Sequence, residues 1–200
     1  MAIAPITPGL IQTGPGRIRY APLGTTIPTV VPVASVYTAV AWPSWLDVGA
    51  TDSGLTYTEG TETADIRVCE SKYPVRTVTT TKSSRIAFTA NEVSDLIWKL
   101  AQNGGTLTVT GTAGTKQTEY SPPLADAEVR VMLAFQSNLD TEIIVWPQVF
   151  QVGSVEFVRG DFETKAGLSM EFNAELPATG YTTPTQGHLA FAGTIAEANE

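Results

Sequence analysis

The sequence predicts a mainly β protein: an antiparallel β-sandwich or barrel-like domain with one flanking α-helix and extended arms at both ends. Three observations predict it. Charged residues make up only 16% of the 200-residue chain, against about 25% in an ordinary globular protein, and threonine, valine and glycine take their place. Segments of alternating apolar and polar residues recur along the chain, the pattern of half-buried strands. A single stretch departs from that pattern and carries helical spacing with start and stop signals.

Residues 1–14 hold Pro5, Pro8, Gly9 and Gly14 among apolar side chains. Proline and glycine in that density exclude a helix and predict an N-terminal arm. Gly16 to Tyr20 is expected to be the first strand, residues 22–32 irregular, and residues 35–42 a second strand. Glycines 49, 54 and 60 punctuate residues 42–63, which read as a long loop with a short strand at Leu55–Thr58. A loop of this length inside a compact domain is usually functional. Its apolar members Trp42, Trp45, Leu46, Leu55 and Tyr57 are costly to leave in water. They either contact a partner or, for the tryptophans, fold back on their own core.

Strands are expected at 65–70, 75–81 and 84–89, with Lys82-Ser83-Ser84 turning between the last two. In the third, Ile86 and Phe88 share one face while Arg85, Ala87 and Thr89 share the other. Thr89-Ala90-Asn91-Glu92 fits a capping box, so a helix is expected over 90–103. Its stripe is Val93, Leu96, Ile97 and Leu100, and Gly104-Gly105 stops it. Strands follow at 106–110, 128–136, 142–150 and 153–158, with a polar loop at 111–123. Pro147 inside a strand predicts a bulge or an edge position. Residues 167–176 alternate most regularly, with Leu168, Met170, Phe172, Ala174 and Leu176 inward and Ser169, Glu171, Asn173 and Glu175 outward. Residues 177–200 read as a C-terminal tail, which leaves one domain over 15–176. The total is about eight strands.

Composition also bounds function. The net charge of −8, with basic residues scattered, disfavours sequence-specific nucleic-acid binding and adhesion to an anionic membrane. No apolar run is long enough to span a bilayer as a helix, and Met1-Ala-Ile-Ala-Pro has no signal-peptide pattern. The single cysteine, Cys69, excludes an internal disulfide and predicts a buried core thiol. The single histidine, His188, sits in the tail, away from the rigid scaffold a catalytic triad requires. Gly111-Thr-Ala-Gly-Thr-Lys lacks the spacing of a phosphate loop. Glu171 and Glu175 on one strand are roughly 13 Å apart, too far for paired-carboxylate hydrolysis. The residues predict no enzyme, no metal site and no cofactor.

Three sets of residues carry a resemblance. The first is Trp45-Leu-Asp-Val-Gly-Ala-Thr-Asp-Ser-Gly-Leu-Thr-Tyr57. The second is Tyr73-Pro-Val-Arg76 with Arg85-Ile-Ala-Phe-Thr-Ala-Asn-Glu92 and the helix. The third is Trp146-Pro-Gln-Val-Phe150 with the strand Leu168 to Leu176. Together, from Trp42 to Leu176, they resemble the major tail proteins, or tail tube proteins, of long-tailed bacteriophages. The proline-rich stretch 22–32 departs from that pattern.

The resemblance implies a tail-tube β-sandwich with a flanking helix. It implies six copies per ring, stacked rings forming a tube around a tape-measure protein, and tail tip and tail terminator proteins at its ends. Genomic DNA then passes through without specific binding, and the chain, made in the host cytoplasm, resides in the virion tail. Contacts between subunits or rings are expected from Ile3, Ile6, Leu10, Trp42, Trp45, Leu46, Leu55 and Tyr57. The row Ser169, Glu171, Asn173 and Glu175 is expected either to line the lumen, where acidic groups would repel phosphates, or to face outside. The competing expectation is a carbohydrate-binding or adhesin-like sandwich using Trp42, Trp45 or Trp146 as stacking platforms.

Overall fold

A computed structural model describes residues 16–27, 42–137, 141–158, 166–177, 180 and 186–190. Its elements are β1 (Gly16–Pro22), β2 (Leu46–Asp47), β3 (Thr51–Ile66), β4 (Arg76–Ala90), α1 (Asp95–Ala101), β5 (Thr106–Thr110), β6 (Gln117–Ser121), β7 (Val131–Ser137), β8 (Thr141–Gln151), β9 (Glu156–Val158), β10 (Gly167–Ala174) and β11 (Gln186–Ala190). The main sheet runs β2-β1-β7-β8-β10-β4-β3, with β11 beside β8 and β9 beside β10. Every pairing is antiparallel. The two ends of this path, β2 and β3, are separated by only residues 48–50. So short a link forces the sheet to curl until its first and last strands lie close together.

The curl encloses the main core. Ile18 and Tyr20, Ile86 and Phe88, Leu133, Trp146 and Val149, and Leu168, Met170 and Phe172 meet there, with Ile97 and Leu100 of α1 closing one end. Phe88 stacks on Phe172 with ring centroids 5.7 Å apart, and Tyr57 reaches across to Trp146 at 5.3 Å. Alternation accounts for this division: Ile86 and Phe88 are buried while Arg85 is exposed, and β10 buries Leu168, Met170 and Phe172. β7 and the first half of β8 bury both faces. Their outer residues Met132, Ala134, Ile143 and Val145 join Ala21 and Trp45 in a second, smaller core.

Pro147 marks a bulge. Leu133 pairs with Trp146 and Val131 with Val149, so β8 carries one residue more than β7 across that interval. β8 is flanked by strands on both sides, which leaves the bulge as what accommodates a residue without an N–H.

Several expectations are corrected. Residues 42–63 are not a long loop: β2 and most of β3 lie there, because β4 pairs the threonine-rich run from Leu55 onward through Gly60, while Gly54 falls in an irregularity between Thr51 and Leu55 and Gly49 in the link before β3. Lys82-Ser83-Ser84 is not a turn but the middle of β4, paired with Thr61, Gly60 and Glu59. The reversal comes at 67–75, where Val75 N–H closes on the Ile66 carbonyl at 2.9 Å. Cys69 lies in that reversal and is exposed, not buried. The helix is shorter than 90–103. Thr89 and Ala90 belong to β4, and Ser94 is the N-cap, its Oγ accepting from Ile97 N–H. The capping-box threonine is used in the sheet instead, with Thr89 Oγ 3.0 Å from Ser169 Oγ. Residues 111–123 contain β6, which pairs with β5 as a separate hairpin. The tail contributes β11 to the main sheet, and His188 lies in it opposite Ile143. The expected strand at 35–42, the arm at 1–14 and the tail beyond Ala190 lie outside the described residues, Trp42 excepted.

Candidate assembly surfaces

The β3–β4 hairpin divides into a rooted half and a free half. At its root Leu55 and Tyr57 pack on the main core, and Ser84, Ile86, Phe88 and Ala90 are buried. β10 pairs with β4 only from Ala90 to Arg85. Beyond that point β3 and β4 pair only with each other, from Glu59–Ser84 to Ile66–Arg76, a ribbon about 23 Å long at strand rise. Val78 is its one half-buried side chain between residues 61 and 83. Its far end exposes Ile66, Val68, Val75 and, 80% open, Tyr73. Threonines 58, 61, 63, 77, 79, 80 and 81 supply the β-branched content that keeps such a ribbon extended. A lone two-stranded hairpin is marginal in water, and this one presents two open edges and an apolar tip that no other strand among the described residues pairs with or covers.

A second surface lies beside α1. A cleft of about 360 Å³ is walled by Tyr20, Leu23, Leu46, Leu96, Leu100 and Val129. Leu23, Leu46, Leu96 and Val129 are each more than 40% exposed. The helical stripe is therefore split: Ile97 and Leu100 enter the core while Leu96 opens onto this cleft. Burial pushes the Tyr20 phenol up to about 12, so it stays neutral and points its hydroxyl at the Leu96 carbonyl.

The third surface is the outer face of β3, β4 and β10. Thr56 and Thr58, Ala87 and Thr89, and Ser169 and Asn173 make it a field of small polar side chains. Its carboxylates are matched by arginines. Arg85 Nη1 donates to Glu171 at 2.6 Å, and Arg130 Nε donates to Glu175 at 2.6 Å. Gln148 adds a 2.7 Å hydrogen bond to Glu175, and the Arg130 guanidinium lies over the Phe150 ring. Burial alone would raise the Glu175 carboxyl, but the hydrogen bonds from Arg130 and Gln148 and the guanidinium charge outweigh it and hold the group below its ordinary value. The row Ser169, Glu171, Asn173 and Glu175 thus lies together along β10 and the residue after it, as a charge-balanced strip. Arg85 and Arg130 were not legible as its partners, because strand register, not sequence spacing, brings them there.

The predicted contact residues do not form one patch. Trp45 is buried and Trp42 half-buried, both against the second core and edge to face with each other at 5.2 Å. Leu55 and Tyr57 serve the root of the hairpin, and Leu46 opens onto the cleft. Ile3, Ile6 and Leu10 lie outside the described residues. Stacking platforms for a sugar would need open, flat rings, whereas Trp45 and Trp146 are buried in their own chain. Among the described residues no three His, Cys, Asp or Glu side chains are grouped as a metal site, and no helix is long and apolar enough to cross a membrane.

A family model described as phage tail tube protein matches residues 7–174. No curated protein matches the chain.

Proposed function

Since the chain belongs to the phage tail tube protein family, a structural component of the virion tail, we propose that it works as stacked hexameric rings enclosing a channel for DNA. The observation that carries this reading is the ribbon: two open edges and an apolar tip left uncovered by the described residues, a surface suited to pairing with another copy. Ring closure removes open edges in an orderly way, because each copy offers the same donor and acceptor surfaces to the next. Obligate contacts of this kind need about 2,000 Å² or more per interface, which the ribbon and cleft together would help supply.

In this reading the domain over 15–176 forms the wall, and the arms at 1–14 and 177–200 add contacts. The apolar, uncharged arm carrying Ile3, Ile6 and Leu10 seats in a neighbour's cleft at Leu46, a match of chemistry on both sides. The face bearing Ser169, Glu171, Asn173 and Glu175 lines the channel. Its small hydroxyls and paired charges would hold neither phosphates nor a tape-measure protein firmly. Tail tip and tail terminator proteins close the two ends, and the chain folds in the host cytoplasm before assembly.

Negative-stain microscopy of the purified protein, alone and seeded with the tip complex of a matching virus, tests the reading. Hollow cylinders built of stacked rings are expected. A protein that stays monodisperse and monomeric under both conditions refutes it.

A further inference from the structure

Asn103 ties together the corner where α1 ends. Its φ of 53° is left-handed, the conformation that closes a helix C-terminus and that asparagine adopts more readily than most residues. Its N–H donates to the Leu100 carbonyl at 3.4 Å, and Gly104 N–H donates to the Lys99 carbonyl at 2.8 Å. These two bonds make a Schellman cap. The Asn103 carbonyl accepts from Val129 N–H at 2.7 Å. The side chain reaches the end of β8: Nδ2 donates to the Gln151 carbonyl at 2.9 Å, and Oδ1 accepts from Gln151 N–H at 2.8 Å. The carboxamide thus pairs with Gln151 as the peptide group of a neighbouring strand would. The whole residue is only 7% exposed.

The same corner carries a chemical liability. Asn103-Gly104 is the only Asn-Gly step in the chain. In such a step the glycine nitrogen can attack the asparagine Cγ, because the residue that follows has no Cβ to obstruct the approach. The N–Cγ bond forms, the Cγ–Nδ2 bond breaks, and ammonia leaves with the proton of the glycine N–H. Water then opens the cyclic imide at either carbonyl, giving aspartate or its β-linked isomer. Loss of ammonia makes the change one-way.

The fold blocks this reaction at each reacting group. The nucleophile, Gly104 N, has its proton engaged by the Lys99 carbonyl. The electrophile is held by both ends of its amide on the Gln151 backbone, so Cγ cannot swing onto Gly104 N while that pair lasts. Burial keeps water from the imide carbonyls. The same contacts make the product a misfit. Where Nδ2 now donates to Gln151, aspartate would set a second oxygen, acceptor against acceptor in a buried place. The β-linked isomer adds a carbon to the backbone path and would draw Gly104 off Lys99.

We propose that Asn103 is a deamidation site, closed by the native fold and exposed when the corner between α1 and β8 comes apart, and that the modified corner does not re-form. Opening is thereby recorded, once and covalently, on any chain whose Asn103–Gln151 pair has parted. The device works in a single copy, whether or not rings form.

The test uses the full-length protein at neutral pH, incubated in buffer and in guanidinium chloride above its unfolding midpoint. Peptide mass spectrometry follows the mass gain of deamidation at Asn103 with time. Opening the corner breaks several hydrogen bonds together, so modification is expected to be at least about tenfold slower in the native protein than in the unfolded one. A smaller difference overturns the proposal. Asn103→Asp builds the product directly and is expected to lower the folding constant at least about tenfold; a smaller loss overturns the claim that the modified corner does not re-form. A variant that fails to fold meets that expectation, and the rate comparison, made on the native chain, still decides whether the fold closes the site.

Discussion

Replacing residues 61–82 with a two-residue Asn-Gly turn, which joins Gly60 to Ser83 across a register that already pairs them, removes the ribbon and leaves its root. Asn-Gly is suited to the tight turn of a two-residue hairpin. The excised residues include no member of either core, and Val78 is the only one of them that is not exposed. No core area is lost, only the partial cover of Ile66, Val68 and Val78 within the ribbon itself, and the folded monomer should change in stability by no more than about 1 kcal/mol. For a domain of this size that is a shift in Tm of roughly 2–4 °C. Leu55, Tyr57, Ser84 and Ile86 keep their places, so circular dichroism should show the same cooperative unfolding. Assembly, in contrast, should fail, because the open edges and the tip at Tyr73 and Val75 are gone. Deleting residues 43–63 instead would take out Trp45 and Val48, both buried, and should unfold the chain. A ribbonless protein that still builds cylinders of normal length in the microscope would refute the assignment of the ribbon to assembly. One that loses many degrees of Tm would refute the division between root and ribbon.

Four further outcomes follow from the same structure. Trp146 is fully buried with its Nε1 unpartnered, so Trp146→Ala should cost about 3–5 kcal/mol in urea unfolding. Trp146→Phe, which also removes the unmet donor, should cost less than about 1.5 kcal/mol. Because Glu175 is held below its ordinary value of 4.5, its contribution is fully present above that value and is lost as the pH falls through the depressed one. The stability gap between the native protein and Glu175→Gln should thus be open at pH 7 and close on acidification below about pH 4; a gap that widens in acid would contradict it. Gly105 has φ of +101°, and an added Cβ would lie 2.6 Å from the Ser121 carbonyl oxygen, so Gly105→Ala should destabilise by about 1–3 kcal/mol, read as a lowered Tm. Glu171→Lys with Glu175→Lys leaves Arg85 and Arg130 without their carboxylates and turns a balanced strip cationic, which should slow DNA delivery; native ejection kinetics would argue against a channel position for this face.

Legibility in the sequence followed the reach of the interactions concerned. Alternation along β10 and the end of β4 is a local property, and Leu168, Met170, Phe172, Ile86 and Phe88 take the predicted side. Pro147 announced its bulge because a missing N–H is written in the residue itself. The length of β3 was hidden because glycines 54 and 60 read as breaks, whereas pairing with β4 carries the strand through Gly60 and takes up Gly54 in an irregularity between Thr51 and Leu55. Ser94 displaced Thr89 as the cap because the sheet claimed Thr89 first. The site residues show the same limit. That Glu171 and Glu175 face outward was legible; that Arg85 and Arg130 neutralise them was not, since those pairs span 86 and 45 positions. That Trp42 and Trp45 are costly to leave in water was legible; the second core, which Trp45 joins and Trp42 packs against, was not, because its members come from strands far apart in the chain.

The three-residue link between β2 and β3 carries a mechanical consequence. Leu46, which borders the cleft, is five positions from Thr51, where the long hairpin begins, and Val48 N–H is tied to the Ile18 carbonyl on the way. A load applied at the hairpin's outer end is therefore shared between β4, which passes it to β10, and this strap, which passes it to β1 and the cleft wall. Force at the ribbon's tip is thus felt at the cleft wall through the backbone as well as through the ladder of the sheet.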